Sequence, residues 1–165
     1  MHSQIQLLIT GGTLDKDYHP QRGELYFPDS HLEKMLQQAN CRLPLQCEVL
    51  MQKDSLDMEP ADRTLIAEAC LKSDAAQIVI THGTDTMVET ALHLQNTPAL
   101  RGKTIVLTGA MRPFALGHSD ALFNLGSALC AVQLKNAGVY LCMNGKVFSA
   151  DHVTKNRSLG VFESI

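Results

Sequence analysis

The chain has 165 residues, a length that favours one domain built around one core of ordinary size. Lysine and arginine number 14 and aspartate and glutamate number 17, so the net charge is −3, which excludes a strongly basic surface for nucleic acid or for an anionic membrane. Hydrophobic residues make up 45% and charged residues 19% of the chain, a composition that excludes a disordered protein.

Five short apolar runs predict β-strands. They are residues 5–10, 45–51, 77–81, 104–108 and 139–143. Their hydrophobicity is nearly continuous rather than alternating, which is typical of strands covered on both faces of a parallel sheet.

Four segments between these runs carry apolar residues at helical spacing. They are residues 31–38, a segment that Pro60 opens, residues 87–94 and residues 121–134. Ser30, with Glu33 three residues later, predicts a capping box at the start of the first helix. The alternation of strand and helix predicts an α/β fold, a three-layer α/β/α domain that is Rossmann-like or flavodoxin-like, with a mostly parallel sheet. Asn144-Gly145 predicts one C-terminal hairpin.

Two segments lack a clear pattern. Residues 14–28 hold two tyrosines and two prolines and are too long for a tight turn, so they predict a lid. Residues 154–165 show no strong periodicity, and either an ordered edge or a truncated connection is consistent with them.

The cysteines and histidines give no metal-binding pattern. The five cysteines are scattered without Cys-x-x-Cys spacing, which favours reduced thiols packed in the core. The seven histidines show no ligand-like spacing, so we expect no metal, and we expect His82 and His118 beside the site or on the surface.

The N-terminus lacks the features of a secretory signal, and the apolar runs are far shorter than the roughly 20 residues that cross a bilayer. We therefore expect a cytoplasmic protein.

Three predicted strands end in similar short sequence motifs. These are Thr-Gly-Gly-Thr at 10–13, Thr-His-Gly-Thr at 81–84 and Thr-Gly-Ala-Met at 108–111. The crevice beyond the carboxyl ends of parallel strands is the usual ligand site, and glycine lets the backbone approach a ligand there. Thr13 and Thr84 offer hydroxyls, but a neutral hydroxyl needs a base to become a nucleophile. Lys155 is one candidate base, although most lysines are solvated surface groups.

These three motifs and two further ones resemble motifs of the bacterial-type L-asparaginases. The resemblance rests on Thr-Gly-Gly-Thr-Leu at 10–14, Thr-His-Gly-Thr-Asp-Thr at 81–86, Gly-Ala-Met-Arg-Pro at 109–113, Asp-His-Val-Thr-Lys at 151–155 and the Asp-Ser pair at 54–55. It covers nearly the whole chain and corresponds to the larger, N-terminal domain of the usual two-domain enzyme. We therefore expect residues 1–165 to form a single domain of this type, without the family's smaller C-terminal domain.

The resemblance implies catalytic roles for five residues. Thr13 is the expected nucleophile, assisted in proton transfer by a tyrosine on the following loop, for which Tyr18 is the first choice and Tyr26 the alternative. Thr84, Asp85 and Lys155 form the expected second polar triad, in which Lys155 tunes the Thr84 hydroxyl.

The resemblance also implies a substrate-binding set and no cofactor. Ser55 is expected to hold the substrate's α-carboxylate, and Asp85 its α-ammonium. The other expected substrate-binding residues are Gly12, Asp54, Gly83 and Thr84. Leu56 stands where longer relatives usually have a polar residue, which leaves the ammonium with fewer partners.

The expected activity is hydrolysis of L-asparagine to aspartate and ammonia through a threonine acyl-enzyme, with glutamine a poorer substrate. The alternative from another class is a non-catalytic domain of the same fold that binds an amino acid or a small anion. A nucleotide-binding domain is disfavoured, because Gly11-Gly12-Thr13 is not a Gly-x-Gly-x-x-Gly loop and no Gly-Lys-Ser/Thr loop occurs. We expect a homo-oligomer, a dimer or a tetramer, in which subunits pair against the site.

Overall fold

The computed structural model describes residues 3–165. Within them, ten strands are formed: β1 (Ile5–Gly11), β2 (Asp17–His19), β3 (Glu24–Tyr26), β4 (Leu45–Lys53), β5 (Gln77–Thr81), β6 (Thr104–Thr108), β7 (Gly138–Met143), β8 (Lys146–Ser149), β9 (Val153–Asn156) and β10 (Val161–Ser164). The α-helices are α1 (Leu32–Gln38), α2 (Pro60–Lys72), α3 (Met87–Gln95) and α4 (Ala121–Leu134). Short 3-10 turns lie at Thr13–Asp15, Ser55–Asp57, Pro98–Leu100 and Phe114–Leu116.

The main sheet has six strands in the order β4-β1-β5-β6-β7-β8. The first five are parallel, and β8 pairs with β7 antiparallel through the Asn144-Gly145 turn, where both residues have positive φ. Counting only the parallel strands along the chain, this is the 2-1-3-4-5 order of flavodoxin-like folds. The predicted α/β fold with a mostly parallel sheet and a C-terminal hairpin is confirmed.

The core has two halves, one on each face of the sheet. Leu7 and Leu8 of β1 are both fully buried but point to opposite faces, because successive side chains of a strand alternate. Leu7 joins the half covered by α1 and α4, and Leu8 joins the half covered by α2 and α3. Fully burying one such side chain contributes about 1.5–3 kcal/mol, so the two halves together fix the three-layer arrangement.

The strand β4 differs from the prediction that it is covered on both faces. It lies at the edge of the sheet, and four consecutive side chains, from Gln46 to Val49, are exposed. Its sequence includes Gln46 and Glu48, which interrupt the apolar run and mark the solvent-facing edge.

The two segments without a clear pattern both form antiparallel hairpins. The strands β2 and β3 pair within the predicted lid, and β9 and β10 pair within the segment 154–165 and the residue before it. The second hairpin shows that most of the segment 154–165 is ordered.

The predicted capping box at Ser30 and Glu33 is wrong. His31 takes the N-cap position of α1, and the Glu33 carboxylate accepts a hydrogen bond from the Gln37 side chain instead of reaching back. Ser30 contributes only a long hydrogen bond, which its hydroxyl accepts from the Leu32 N–H at 3.3 Å.

The five cysteines are free thiols, but only some of them pack in the core as predicted. Cys70 and Cys142 are buried, Cys41 is half-buried, and Cys47 and Cys130 are exposed. Burial raises the pKa of the Cys70 thiol to about 12 and that of Cys142 to about 11, so these two buried cysteines stay protonated. None of the helices in residues 3–165 combines the length and the apolar character that a membrane span needs.

Candidate active site

The candidate site lies beyond the carboxyl ends of β1 and β5. These neighbouring strands flank the point where the strand order reverses, so the connections that leave them run to opposite faces and open a crevice. Gly12 follows β1 with φ +77°, and a Cβ placed on it would lie 2.5 Å from the Gly83 nitrogen. Only glycine permits this contact, and it brings the first two threonine loops together.

The Asp54–Ser55 turn packs against the same loops. A Cβ on Gly83 would lie 2.6 Å from Ser55 Oγ, and Ser55 is buried. Thr86 fixes this serine, because its N–H donates to Ser55 Oγ at 3.2 Å and its hydroxyl donates to the Ser55 carbonyl at 2.8 Å. Asp54 caps the turn by accepting the Leu56 N–H at 3.1 Å.

Lys155 joins Thr84 and Asp85. Its Nζ donates to Thr84 Oγ1 and to Asp85 Oδ1, each at 2.8 Å, and the lysine side chain is only 9% exposed. The hairpin of β9 and β10 carries it to this position, where Lys155 pairs in register with the buried Phe162. A nearly buried ammonium is stabilised here by one carboxylate and one hydroxyl, and it holds the hydroxyl in a fixed orientation.

Thr13 begins the 3-10 turn after Gly12 and is half-buried. Asp15, in the same turn, is fully buried and accepts the His31 N–H at 2.7 Å, which ties the turn to the start of α1. Asp15 therefore anchors the turn that carries Thr13 to the buried start of α1.

Tyr18 and Tyr26 lie on opposite faces of the β2–β3 hairpin, because Tyr18 pairs with Leu25 and Asp17 pairs with Tyr26. Tyr18 is 49% exposed and its hydroxyl lies close to Gly23. The Tyr26 ring packs against His19, with ring centroids 5.1 Å apart. Among the described residues, no hydrogen bond links Tyr18 or Tyr26 to Thr13.

Lys16 is a residue of the site that the motifs do not mark. Its Nζ donates to Asp54 Oδ2 at 2.7 Å and lies 5.3 Å from the centroid of the Phe27 ring. This bond is the main reason that the pKa of Asp54 falls below its usual range. Lys16 joins the β2–β3 hairpin region to the Asp54–Ser55 turn, and no spacing rule in the sequence indicates that contact.

Arg157 is a second such residue. Its Nη2 donates to the Asp85 carbonyl at 3.1 Å, its Nε lies 3.8 Å from Asp85 Oδ1, and its side chain is 64% exposed. The one available signal is its place two residues after Lys155, since alternate residues of an extended segment point to the same side.

His82 lies beneath the second threonine loop and is fully buried, whereas His118 is exposed. Each histidine thus takes one of the two predicted positions, His82 beside the site and His118 on the surface. The Thr90 hydroxyl accepts from Arg63 Nε at 3.1 Å and lies 2.8 Å from His82 Nε2, so the hydroxyl donates to Nε2. Nδ1 then carries the proton and donates to the Gly83 carbonyl at 2.7 Å. Burial lowers the pKa of His82 to about 4, so this histidine is a neutral support for the Gly83 loop.

The third glycine loop is held by polar side chains of α4 and its N-cap. The Asp120 carboxylate accepts the Met111 N–H at 2.9 Å and the Arg112 N–H at 3.1 Å. Asn124 Nδ2 donates to the Gly109 carbonyl at 2.9 Å. The Asp120 carboxylate therefore holds the Met111–Arg112 backbone against the start of α4.

Residues 3–165 contain no group of three or more histidine, cysteine, aspartate and glutamate side chains that could hold a metal ion. The arrangement instead offers two hydroxyls, paired charges and close backbone loops. Such groups suit nucleophilic attack on a carbonyl and binding of a small charged molecule.

Comparisons with known proteins agree with this arrangement. A family model described as "Asparaginase, N-terminal" matches residues 4–165. The chain is 47% identical over 81 residues to a glutaminase-asparaginase of Acinetobacter glutaminasificans, an alignment that covers 47% of this chain and 24% of that protein. It is 32% identical over 169 residues to the "Probable L-asparaginase periplasmic" of Haemophilus influenzae, which covers 95% of this chain and 47% of the relative.

A solved structure gives the same result for the fold. The probable cytoplasmic L-asparaginase of Campylobacter jejuni superposes with a TM-score of 0.85 at 32% identity, over 98% of this chain and 53% of that chain. The chain thus spans about half the length of the relatives that it matches along its whole extent.

Proposed function

The chain belongs to the asparaginase family, and on that premise we propose that its site hydrolyses the side-chain amide of L-asparagine, giving aspartate and ammonia through an acyl ester on Thr13. Glutamine is the poorer substrate, because one extra methylene moves the amide out of alignment with a nucleophile placed for the shorter side chain. That residues 1–165 act as a single domain in the cytoplasm, without a cofactor, is part of the same proposal.

The observation that carries the proposal is the contact of Lys155 with both Thr84 and Asp85. A buried lysine is costly unless it is paired, and most surface lysines have no such partners. Here a lysine from a hairpin near the C-terminus is brought 71 residues back along the chain to a threonine hydroxyl at 2.8 Å. Packing of the hairpin alone does not require that contact, whereas proton transfer at the Thr84 hydroxyl does.

In the proposed reaction, the Thr13 hydroxyl oxygen attacks the amide carbon and forms a tetrahedral intermediate. Backbone N–H groups of the glycine loops stabilise the negative oxygen of that intermediate. The C–N bond then breaks, the nitrogen takes up a proton and leaves as ammonia, and the acyl group remains as an ester on Thr13. Water attacks the ester, the product carboxylate forms, and the proton returns to Thr13.

Tyr18 assists as a proton relay: its hydroxyl oxygen accepts the Thr13 proton while its own proton passes to the leaving nitrogen. Tyr18 and Thr13 are not hydrogen-bonded here, so the step needs the β2–β3 hairpin to bring the tyrosine closer or one water molecule to bridge the two hydroxyls. Tyr26 is the alternative, and a comparison of Tyr18→Phe with Tyr26→Phe separates the two.

The substrate is held at its two charged groups. Ser55 and the neighbouring N–H groups hold the α-carboxylate, and Asp85 receives the α-ammonium. Asp54 shapes the turn rather than contacting substrate directly, since its carboxylate already accepts bonds from Lys16 and from the Leu56 N–H. Gly12 and Gly83 hold the first two threonine loops in direct contact at the site.

The test is ammonia release from L-asparagine and L-glutamine by the purified chain and by its Thr13→Ala variant at neutral pH. We expect release from asparagine in the wild type and loss of nearly all turnover in the variant, with an unchanged circular dichroism spectrum. Thr64→Ala is the matched control, because Thr64 is exposed on α2 and its hydroxyl bonds only to the Pro60 carbonyl.

Retained turnover in Thr13→Ala removes Thr13 as the nucleophile. Absence of turnover in the wild type, together with measurable binding of aspartate, favours the alternative of a non-catalytic domain that binds an amino acid or small anion.

A further inference from the structure

The buried imidazole of His82 is fixed from two sides. The His82 backbone N–H donates to the Thr108 carbonyl of β6 at 2.9 Å, and Nε2 accepts from the Thr90 hydroxyl of α3 at 2.8 Å. Arg63 Nε donates to the same hydroxyl at 3.1 Å, which leaves the Thr90 proton for the ring. A strand and a helix therefore hold this side chain, and the ring cannot turn without breaking a buried hydrogen bond.

The ring in turn holds the peptide bond between Gly83 and Thr84. His82 Nδ1 donates to the Gly83 carbonyl at 2.7 Å. This carbonyl and the Thr84 N–H belong to one planar peptide, which is trans because residues 3–165 contain no cis peptide bond. The two groups of a trans peptide point in opposite directions, so the Thr84 N–H points away from the imidazole.

The Thr84 N–H belongs to a residue of the candidate site. The hydroxyl of the same residue accepts from Lys155 Nζ at 2.8 Å. Among residues 3–165, no acceptor is bonded to the Thr84 N–H. Thr84 is a buried residue, and backbone N–H groups at buried positions are normally paired, so an oxygen of a bound substrate would supply the partner.

We propose that His82 is a positioning residue for the reaction, which holds the Gly83–Thr84 peptide so that the Thr84 N–H donates to the negative oxygen of the tetrahedral intermediate. The proposal rests on the proposed function, and it names the N–H group that stabilises this oxygen and the side chain that keeps it aimed. The imidazole stays neutral and exchanges no proton with the substrate. Because the negative charge forms only during the reaction, loss of this hydrogen bond should lower kcat and leave KM nearly unchanged.

Two substitutions of His82 separate positioning from packing. In His82→Asn the side-chain amide nitrogen takes the place of Nδ1 and can donate to the Gly83 carbonyl. In His82→Gln the longer side chain carries its amide nitrogen towards Thr90, where Nε2 lies. Glutamine fills more of the space of the imidazole, so packing alone predicts that His82→Gln is the more stable and the more active variant. Positioning predicts that His82→Asn is the more active.

Steady-state ammonia release from L-asparagine gives kcat and KM for both variants. We expect kcat within about fivefold of the wild type in His82→Asn, the size of one altered neutral hydrogen bond. In His82→Gln we expect a loss of roughly ten- to hundredfold, since an oxyanion donor that is wrongly aimed costs less than one that is removed. KM should change little in either variant.

Ile78→Val is the matched control for loss of stability. Ile78 is fully buried on β5, the strand that leads to His82, but it lies near the opposite end of that strand from the site. Removing one buried methyl group there should lower the urea midpoint of unfolding while kcat and KM stay unchanged.

Thr90 provides a second pair of variants. Thr90→Ser keeps the hydroxyl that anchors the imidazole and should retain kcat. Thr90→Val has nearly the same shape as the wild-type side chain but lacks the hydroxyl, so it should lower kcat several-fold without raising KM.

Nitrogen-15 NMR of the histidine-labelled chain checks the geometry without turnover. The signals that are missing from the spectrum of His82→Asn identify His82. At about pH 7.5 we expect a protonated Nδ1 and an unprotonated Nε2, the tautomer that the contact with the Gly83 carbonyl requires.

Protonation of Nε2 in place of Nδ1, a His82→Asn variant no more active than His82→Gln, or a loss that appears in KM rather than in kcat overturns the proposal. Each of these results leaves hydrolysis of asparagine by the wild type standing. Absence of ammonia release by the wild type overturns the proposed function itself, and the role given to His82 then falls with it, whichever tautomer the NMR spectrum shows.

Discussion

The Lys155 side chain is nearly buried, and both Asp85 and Thr84 accept from its Nζ at 2.8 Å. The sequence places Thr84 and Asp85 side by side, and the resemblance to the asparaginases adds Lys155, so the contact among these three residues is predictable from the sequence. The contacts of Arg157 and Lys16 are not. Charged residues are common along the chain, and nothing in the spacing of these two indicates which acidic residue each one contacts.

The buried His82 should make the free energy of unfolding depend on pH. Its pKa is ordinarily about 6.5 and burial lowers it to about 4 in the folded chain. Between these values the unfolded chain takes up a proton that the folded chain does not, so the free energy of unfolding falls as the pH decreases from 6.5 to 4. The full loss is roughly 3 kcal/mol, from about 1.4 kcal/mol per pKa unit.

Urea denaturation at a series of pH values from 7.5 to 4.5 measures this effect, with His82→Gln as the comparison. At pH 7.5 the variant should be less stable by about 1–3 kcal/mol, because Thr90 and the Gly83 carbonyl lose well-placed partners. Its stability should then fall less steeply towards low pH. Identical slopes in the two proteins would show that His82 is not the titrating group.

At the scale of elements, the periodic segments of the sequence correspond to the large elements of the fold. The apolar runs at 77–81 and 104–108 are the central strands β5 and β6, and the segment that begins at Pro60 is α2. The sequence does not predict the two small hairpins, because β2, β3, β9 and β10 have three or four residues each and many of their side chains are exposed. Strands of that length carry too few residues for an alternating pattern to be distinguished from a loop.

The contact between the loops that follow β1 and β5 should be needed for both stability and activity. In Gly12→Ala the new Cβ would meet the Gly83 backbone, which cannot move aside as a side chain can, and φ +77° is itself unfavourable for alanine. We expect a loss of more than about 2 kcal/mol in unfolding free energy and a large loss of ammonia release. Urea denaturation and the ammonia assay measure the two effects.

Gly102→Ala is the control, because among residues 3–165 no heavy atom beyond those of its chain neighbours lies within 4 Å of a Cβ at that position. It should change stability by no more than about 0.5 kcal/mol. A Gly12→Ala variant as stable and active as the control would contradict the role given to this loop contact.

At the scale of the whole molecule, the strand order decides where the site lies. The predicted alternation of strands and helices gives parallel strands, but it does not state which strand neighbours which. The observed order places β1 beside β5 and so brings Gly12 to Gly83. The position of β1 beside β5 depends on how all four helices pack on the two faces of the sheet. The hydrophobic pattern of a single sequence does not indicate which face each helix covers.

The predicted homo-oligomer, a dimer or a tetramer, stays a prediction. Side chains at the mouth of the site are exposed, among them Tyr18, Leu56 and Arg157. A second copy that covers them would exclude water from the amide and from the leaving group. We therefore expect a dimer or a tetramer. Light scattering at micromolar concentration should give a mass of two or four times 18.1 kDa, and a mass near 18.1 kDa would contradict the prediction.

The bond from Lys155 to Thr84 spans 71 residues of the chain, and Thr13 lies still farther back. The pairing of β1 with β5 closes a loop of nearly the same length, from Ile5 to Gln77, and the entropy cost of such loops slows folding. The contact of Lys155 with Thr84 needs this sheet and, in addition, the docked β9–β10 hairpin. During refolding, turnover should therefore recover after the helix and sheet signals, and stopped refolding samples assayed for ammonia release would show the delay.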